Sequence, residues 1–247
     1  MTDVPICKTM EDDTIFKKNW QTYRVVLREN YNRHTQLYAT VPTYIETRFP
    51  NQFSILDLGC GDVDYFSKAL ANNDIWSRVL SYTGVDLSVQ AMEIGETNVR
   101  KVVSSSTPVS FVVCDMLDFV KRVPDATYDL VFSSIAIHHL QDTEKEALVN
   151  EIRRILRLNG ALIVIDIFLE EDEDRDHFIK EFNADIRHNW TSLTDEQTEN
   201  LINHISNFDF PAKLSDYTNW ACASSNYKSV ECLKKIRFCR TIVLEVD

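Results

Sequence analysis

Ser54-Ile55-Leu56-Asp57-Leu58-Gly59-Cys60-Gly61-Asp62-Val63-Asp64 is the stretch whose reading decides the fold. An apolar run ends in an acidic residue, two glycines follow one residue apart, and a helical pattern begins. That order predicts a buried strand, a tight turn and a helix N-terminus. The glycines let the backbone turn sharply and approach a ligand closely. A helix start at this point offers free N–H groups to an anion. Together these features specify a nucleotide-like cofactor site. The dinucleotide fingerprint needs a third glycine three residues after the second. Asp64 stands there, so that fingerprint fails.

Outward from this stretch, strand and helix patterns alternate. The first strand, Ser54–Leu58, leads to a helix over Asp64–Asn72. A second strand, Tyr82–Asp86, precedes a helix capped by Ser88 and running to about Val102. Ser110–Asp115 is the third strand and Tyr128–Ser134 the fourth. Thr143 and Glu146 form a capping-box pattern for a helix to Leu158, with Gly160 as its stop. Ala161–Phe168 is a continuous apolar strand, expected where both faces are buried. This alternation predicts a doubly wound, mostly parallel α/β sheet. Helices follow over Glu173–Asn189 and Thr194–Asn207, the latter with Thr194 and Gln197 as a capping box, and a weaker one over Ser215–Ala223. Two β-rich runs close the chain, Lys228–Leu233 and Cys239–Val246; their short link favours an antiparallel pair. At the other end, Trp20, Tyr23, Val26, Leu27, Tyr31 and His34 recur at helical spacing, and Thr43–Phe49 lies between Pro42 and Pro50. One domain is expected: a helical cap or lid over 1–50, a cofactor-binding core over 53–168, and acceptor-side helices with the terminal hairpin over 169–247.

Asp86 ends the second strand about 20 residues beyond the glycine loop, where a ribose-binding acid is required. A carboxylate there can accept hydrogen bonds from both ribose hydroxyls. Asp57-Leu58-Gly59-Cys60-Gly61 closely resembles the glycine-rich loop of the class I S-adenosylmethionine-dependent methyltransferases. One departure is Val63, where that family usually has a further glycine. The resemblance extends from about Phe53 to Phe168. It implies a seven-stranded Rossmann-like sheet with a terminal antiparallel hairpin, and S-adenosylmethionine as cofactor. It places Asp57, Gly59, Cys60 and Gly61 at the cofactor, with Asp86 and Leu87 beside them. It also puts Asp115 at the adenine amino group and Met116 near the ring. Ser133 and Ser134, in the stretch Ser133–Leu140, would close over the methionine end and face the acceptor.

An imidazole titrates near neutrality and suits a proton acceptor, so His139 and His34 are the catalytic candidates. Tyr31 joins them, on one helical face with His34. His138, Arg187 and Trp190 are candidates for an acceptor pocket. No metal is expected: adjacent histidines do not chelate as an i,i+4 pair does, and the six cysteines lack a C-x-x-C. The expected activity is methyl transfer to a small molecule by in-line displacement. A nucleotide-binding oxidoreductase would use the same loop and Asp86 but leaves Asp115 unexplained. A non-catalytic module on the same scaffold is the other alternative, because Val63 departs from the loop.

Composition agrees. The 247 residues suit one sizeable core, and a 44% apolar fraction is that of a globular protein. A net charge of −12 argues against nucleic acid or an anionic membrane as partner. Met1–Lys8 has no signal-peptide pattern, and the apolar run Ala161–Leu169 carries Asp166 and is too short to span a bilayer. The cytoplasm is the expected location.

Overall fold

The strand β1 (Phe53–Leu58) is buried along its whole length, which its unbroken apolar character demands. The computed structural model describes residues 13–71, 74–223 and 227–247, with side chains described from residue 21 onward, Ala223 excepted. Trp20, one of the aromatics at helical spacing, therefore lies outside the described side chains. Among the described residues three helices precede β1: α1 (Asp13–Arg28), α2 (His34–Tyr38) and α3 (Val41–Arg48). After it come α4 (Asp64–Ala69), β2 (Val79–Asp86), α5 (Val89–Arg100), β3 (Val109–Val113), α6 (Met116–Val120) and β4 (Tyr128–Ser134). The chain continues through α7 (Asp142–Ile155), β5 (Leu156–Ile167), α8 (Arg175–Asn189), α9 (Asp195–Phe208) and α10 (Leu214–Ala223), and ends in β6 (Ser229–Ile236) and β7 (Cys239–Glu245).

The strands form one seven-stranded sheet in the order β3-β2-β1-β4-β5-β7-β6. The first five run parallel, and β7 inserts antiparallel between β5 and β6. This is the expected doubly wound sheet with its terminal hairpin. Side chains alternate between two buried layers. Ile163 and Ile165 face one, with Ile55, Phe66, Phe132 and Phe178. Leu162 and Val164 face the other, with Leu56, Val131, Leu148 and Ile152. The direction of winding reverses between β1 and β4, where open α/β sheets bind ligands beyond the strands' carboxyl ends. The register brings Leu58 level with Val85 of β2 and Ser133 of β4.

Several local expectations are corrected. The helix before β5 is not started by Thr143 and Glu146. Leu140 is extended and Gln141 is the N-cap, its N–H donating to Glu144 Oε2 at 2.8 Å, so the helix begins earlier. Nor does the helix reach Leu158 or stop at Gly160. Leu156 is already extended and paired with Tyr128, and Asn159 (φ 61°) makes an irregularity inside β5. Gly160 is required there for another reason: a Cβ would lie 2.8 Å from the Arg157 carbonyl. The helix after the glycine loop is also shorter than expected, ending at Ala69.

The cap divides. Leu37, Tyr38, Val41 and Ile45 of α2 and α3 are core residues, Thr241 Oγ1 donates to the Leu37 carbonyl at 2.9 Å, and Arg48 Nη2 donates to that of Val246 at 2.6 Å. Tyr31 and His34 do not share a helical face. Asn30 (φ 55°) and Arg33 (φ 58°) are left-handed and break the helix between α1 and α2. Among the described residues no helix is long and apolar enough to cross a membrane.

Candidate functional site

Beyond β1 the chain turns through Gly59 (φ 68°) and Gly61 (φ 52°), both in the left-handed region that glycine occupies without steric cost. The N–H groups of Gly59 and Cys60 donate to the Val85 carbonyl at 2.8 and 3.1 Å, so the loop is pinned to the end of β2. A Cβ on Gly59 would sit 2.3 Å from the Ala136 Cβ, because the segment after β4 lies directly on it. A Cβ on Gly61 meets nothing within 4 Å, so that side of the loop is open to a ligand. Val63 (φ 55°) is also left-handed, and a β-branched residue there is strained. Its side chain is buried against Gly95 of α5.

Asp86 ties the loop to the next helix. Its Oδ2 accepts from Gly61 N–H at 2.8 Å and its Oδ1 from Ser88 N–H at 2.8 Å. Ser88 in turn caps α5, accepting from Ala91 N–H at 3.2 Å. Burial pushes the Asp86 carboxyl up, and the N–H groups of Ser88, Gly61 and Leu87 oppose that rise. Asp57 is buried beneath the loop and accepts the Tyr82 hydroxyl at 2.7 Å. Burial lifts its carboxyl to about 7, with Tyr82 pulling down and Asp86 pushing up. The start of α4 does not offer a free anion site: Asp62 Oδ1 already accepts from Asp64 N–H at 3.1 Å. A phosphate brought to this loop would meet Asp62, Asp64 and Asp86. A cofactor with a cationic sulfonium and ammonium, and no phosphate, fits that charge.

Residues 56–164 match the methyltransferase domain family. Phosphoethanolamine N-methyltransferase of Plasmodium falciparum is 24% identical over 212 residues, 85% of this chain and 74% of that protein. Ajmaline N-methyltransferase of Rauvolfia serpentina is 28% identical over 177 residues, covering 72% of this chain and half, 50%, of that protein's length. In fold, magnesium protoporphyrin IX methyltransferase from Synechocystis with bound S-adenosylmethionine superposes with a TM-score of 0.59 at 12% identity, covering 95% of this chain and 92% of that one. The chain is a class I S-adenosylmethionine-dependent methyltransferase.

In this methyltransferase the sequence-derived cofactor residues separate into two groups. Asp57, Gly59, Cys60, Gly61 and Asp86 converge on the loop, and Met116 reaches it, its Cε being 3.6 Å from a Cβ placed on Gly59. Burial pushes the Cys60 thiol up, which makes it an unreactive wall. Ser133 is fully buried, and its hydroxyl donates to the Leu58 carbonyl at 2.8 Å, binding β4 to β1. Leu87 presents an exposed side chain. Asp115 is engaged as the N-cap of α6, its Oδ1 accepting from Leu117 and Asp118 N–H at 2.9 and 3.0 Å.

Beside the loop stands an aromatic box that sequence spacing did not assemble. The His34 ring lies 5.2 Å from that of Tyr65 and 6.3 Å from that of Tyr38, and Tyr38 lies 5.7 Å from Phe132 of β4. Ser134 and Asp57 both lie near enough to act on the Tyr38 hydroxyl. His34 is 1% exposed, with neither ring nitrogen hydrogen-bonded among the described residues. Burial lowers it to about 4. The imidazole is therefore neutral in the fold but charges in the unfolded chain below about 6.5. Its contribution is complete above that pH and is lost as pH falls towards 4, a change of about 3 kcal/mol. Urea unfolding of His34→Phe at pH 7.5, 6 and 5 should show a shallower acid loss than wild type. Equal slopes would refute this.

The remaining candidates do not reach the loop. Tyr31 stacks on Trp190 at 4.9 Å, and its hydroxyl accepts Ser192 N–H at 2.8 Å. The pair lines a cavity of about 210 Å³ against Phe182 and Phe238, with no glycine-loop residue in its wall. Arg187 is an exposed partner of Glu199, joining α8 to α9 on the surface. His138 is buried, with Nδ1 2.5 Å from Asp166 Oδ1. Burial lowers it, but Asp166 and Asp209 more than compensate and hold it near 9. His139 is half-exposed, with Nδ1 3.3 Å from Asp209 Oδ1. Asp166 was visible in the sequence only as a charge inside an apolar strand, and Asp209 and His204 gave no local signal.

Proposed function

We propose that this methyltransferase acts on a small-molecule acceptor seated between the glycine loop and the box formed by His34, Tyr38 and Tyr65. The observation that carries this reading is the position of that box. Tyr38 contacts both Phe132 and Ser134 at the carboxyl end of β4, next to Asp57 at the end of β1. A neutral imidazole and tyrosine hydroxyls in a buried aromatic wall suit a compact, partly apolar molecule. The names of the two relatives point the same way, since phosphoethanolamine and ajmaline are small molecules.

The cofactor supplies an already activated methyl group. The chain's own task is to orient and enclose. Asp86 would accept the ribose hydroxyls while keeping Gly61 in place, and Met116 would border the adenine. The acidic set Asp62, Asp64 and Asp86 would favour the cofactor's positive charge. Ser134 and Tyr38 would position the acceptor, and the segment through Ala136, which lies against Gly59, would shut water away from the loop. His34 would orient the acceptor through one ring nitrogen.

Labelled methyl transfer from S-adenosylmethionine to a panel of primary amines, tertiary amines and phenols tests the assignment. Turnover is expected on a panel member, and Tyr38→Phe should reduce it while cofactor affinity holds. Labelling confined to protein or nucleic acid substrates would overturn it.

A further inference from the structure

We propose that His138, His139 and Asp209 form a binding site for one divalent transition metal ion, zinc being the best match. The site is independent of the acceptor assignment. The expectation of no metal rested on the two histidines being adjacent. In the structure they lie in a short 3-10 turn over Ile137–His139, with ring centroids 4.0 Å apart. His138 presents Nε2 and His139 Nδ1 to the same Asp209 oxygen, and His139 Nδ1 also lies 3.3 Å from the Phe208 carbonyl, a contact that a bound ion would replace. Asp209, just past α9, completes the set, and the three donor atoms lie within 4.8 Å of one another.

The separations are those of ligands around an ion. His138 Nε2 is 3.7 Å and His139 Nδ1 3.3 Å from Asp209 Oδ1. Good N–H···O bonds span roughly 2.7–3.2 Å. Donors held at about 2.0–2.1 Å from a tetrahedral zinc stand roughly 3.3–3.4 Å apart. Asp209 Oδ1 is buried and makes no hydrogen bond among the described residues, an unsatisfied carboxylate oxygen aimed at two imidazoles. His204 Nε2 approaches the same oxygen at 3.8 Å and is available as a further donor.

The outer partners are those a metal site needs. His138 places Nδ1 2.5 Å from Asp166 Oδ1, and its backbone N–H donates to Oδ2 of the same residue at 3.0 Å. A proton on Nδ1 leaves the Nε2 lone pair of the neutral ring facing Asp209, the arrangement of a carboxylate–histidine–metal triad. The backbone around Asp209 is pinned: its carbonyl accepts Arg175 Nε at 2.8 Å, and Phe210 N–H donates to the His138 carbonyl at 2.7 Å. Two histidines and one carboxylate leave coordination positions open on the exposed side of His139, which suit water or an oxygen or nitrogen atom of a ligand. A bound ion would tie the α9 end to the segment after β4.

Calorimetric titration of the full chain with zinc chloride, with bound zinc counted by elemental analysis after dialysis, tests the site. One zinc per chain is expected. His139→Ala and Asp209→Asn should each weaken binding at least tenfold, and Asp166→Asn by about 10–100-fold through loss of the outer partner. His188→Gln, on the exposed end of α8, should bind as wild type does. Cobalt(II) absorption bands present in wild type and lost in His139→Ala, whose half-exposed ring can be removed without emptying the core, give a second readout. No stoichiometric zinc in wild type, or equal affinity in His139→Ala and Asp209→Asn, would overturn the site and leave a protonated His138 bridging Asp166 and Asp209.

Discussion

Gly59→Val is expected to abolish S-adenosylmethionine binding. Two costs coincide at this residue. Its φ of 68° is a conformation that β-branched side chains adopt only under strain. Its Cβ would also lie 2.3 Å from the Ala136 Cβ, far inside contact distance, with Ala136 Cα 3.8 Å away behind it. Relief requires moving the glycine loop or the segment after β4, both proposed walls of the cofactor site. The loop cannot slide easily, because Gly59 and Cys60 N–H groups hold the Val85 carbonyl. Gly59→Ala makes the same collision and should weaken binding at least a hundredfold, about 3 kcal/mol. Gly61→Ala is the control. It carries strain of roughly 1–2 kcal/mol but meets nothing within 4 Å, so its effect should be smaller. Calorimetry with S-adenosylmethionine on folded variants measures all three. Wild-type affinity in Gly59→Val would show that the cofactor binds elsewhere.

Asp86→Ala should weaken cofactor binding about a hundredfold or more while the domain stays folded. Each hydrogen bond to a charged group contributes roughly 1.5–3 kcal/mol, and this carboxylate makes two to the backbone even before ribose is considered. Its removal frees Gly61 N–H and Ser88 N–H, loosening the loop and the start of α5 together. Asp86→Asn keeps one acceptor and loses the charge, so it should fall between alanine and wild type. The effect on unfolding should be smaller than on binding, because Asp86 is only part-buried and water can replace it at both N–H groups. Unchanged affinity in a folded Asp86→Ala variant would remove this residue from the site.

The sequence alone determined what depends on a few consecutive residues. The apolar run before Gly59 forms a central strand because only a both-faces-buried strand accommodates it, and the paired glycines take left-handed angles. Ser88 caps α5, and Thr194 with Gln197 caps α9. These are short-range hydrogen bonds, written in the residue types at fixed offsets. The alternation of strand and helix, and the tight link near the C-terminus, then leave little freedom in topology.

Tertiary structure decided which distant side chains meet. Tyr31 and His34 were spaced for one helical face, but the left-handed Asn30 and Arg33 send one to Trp190 and the other to Tyr65. Ser133 was read as part of the stretch at the cofactor, and only the packed sheet shows its hydroxyl donating to the Leu58 carbonyl of the neighbouring strand. Asp209 meets His138 and His139 only because α9 packs its end against the segment after β4, and no periodicity in either stretch marks that meeting. Local patterns specify backbone angles and hydrogen bonds within a few residues; the convergence of side chains far apart in sequence is set by how completed helices and strands pack.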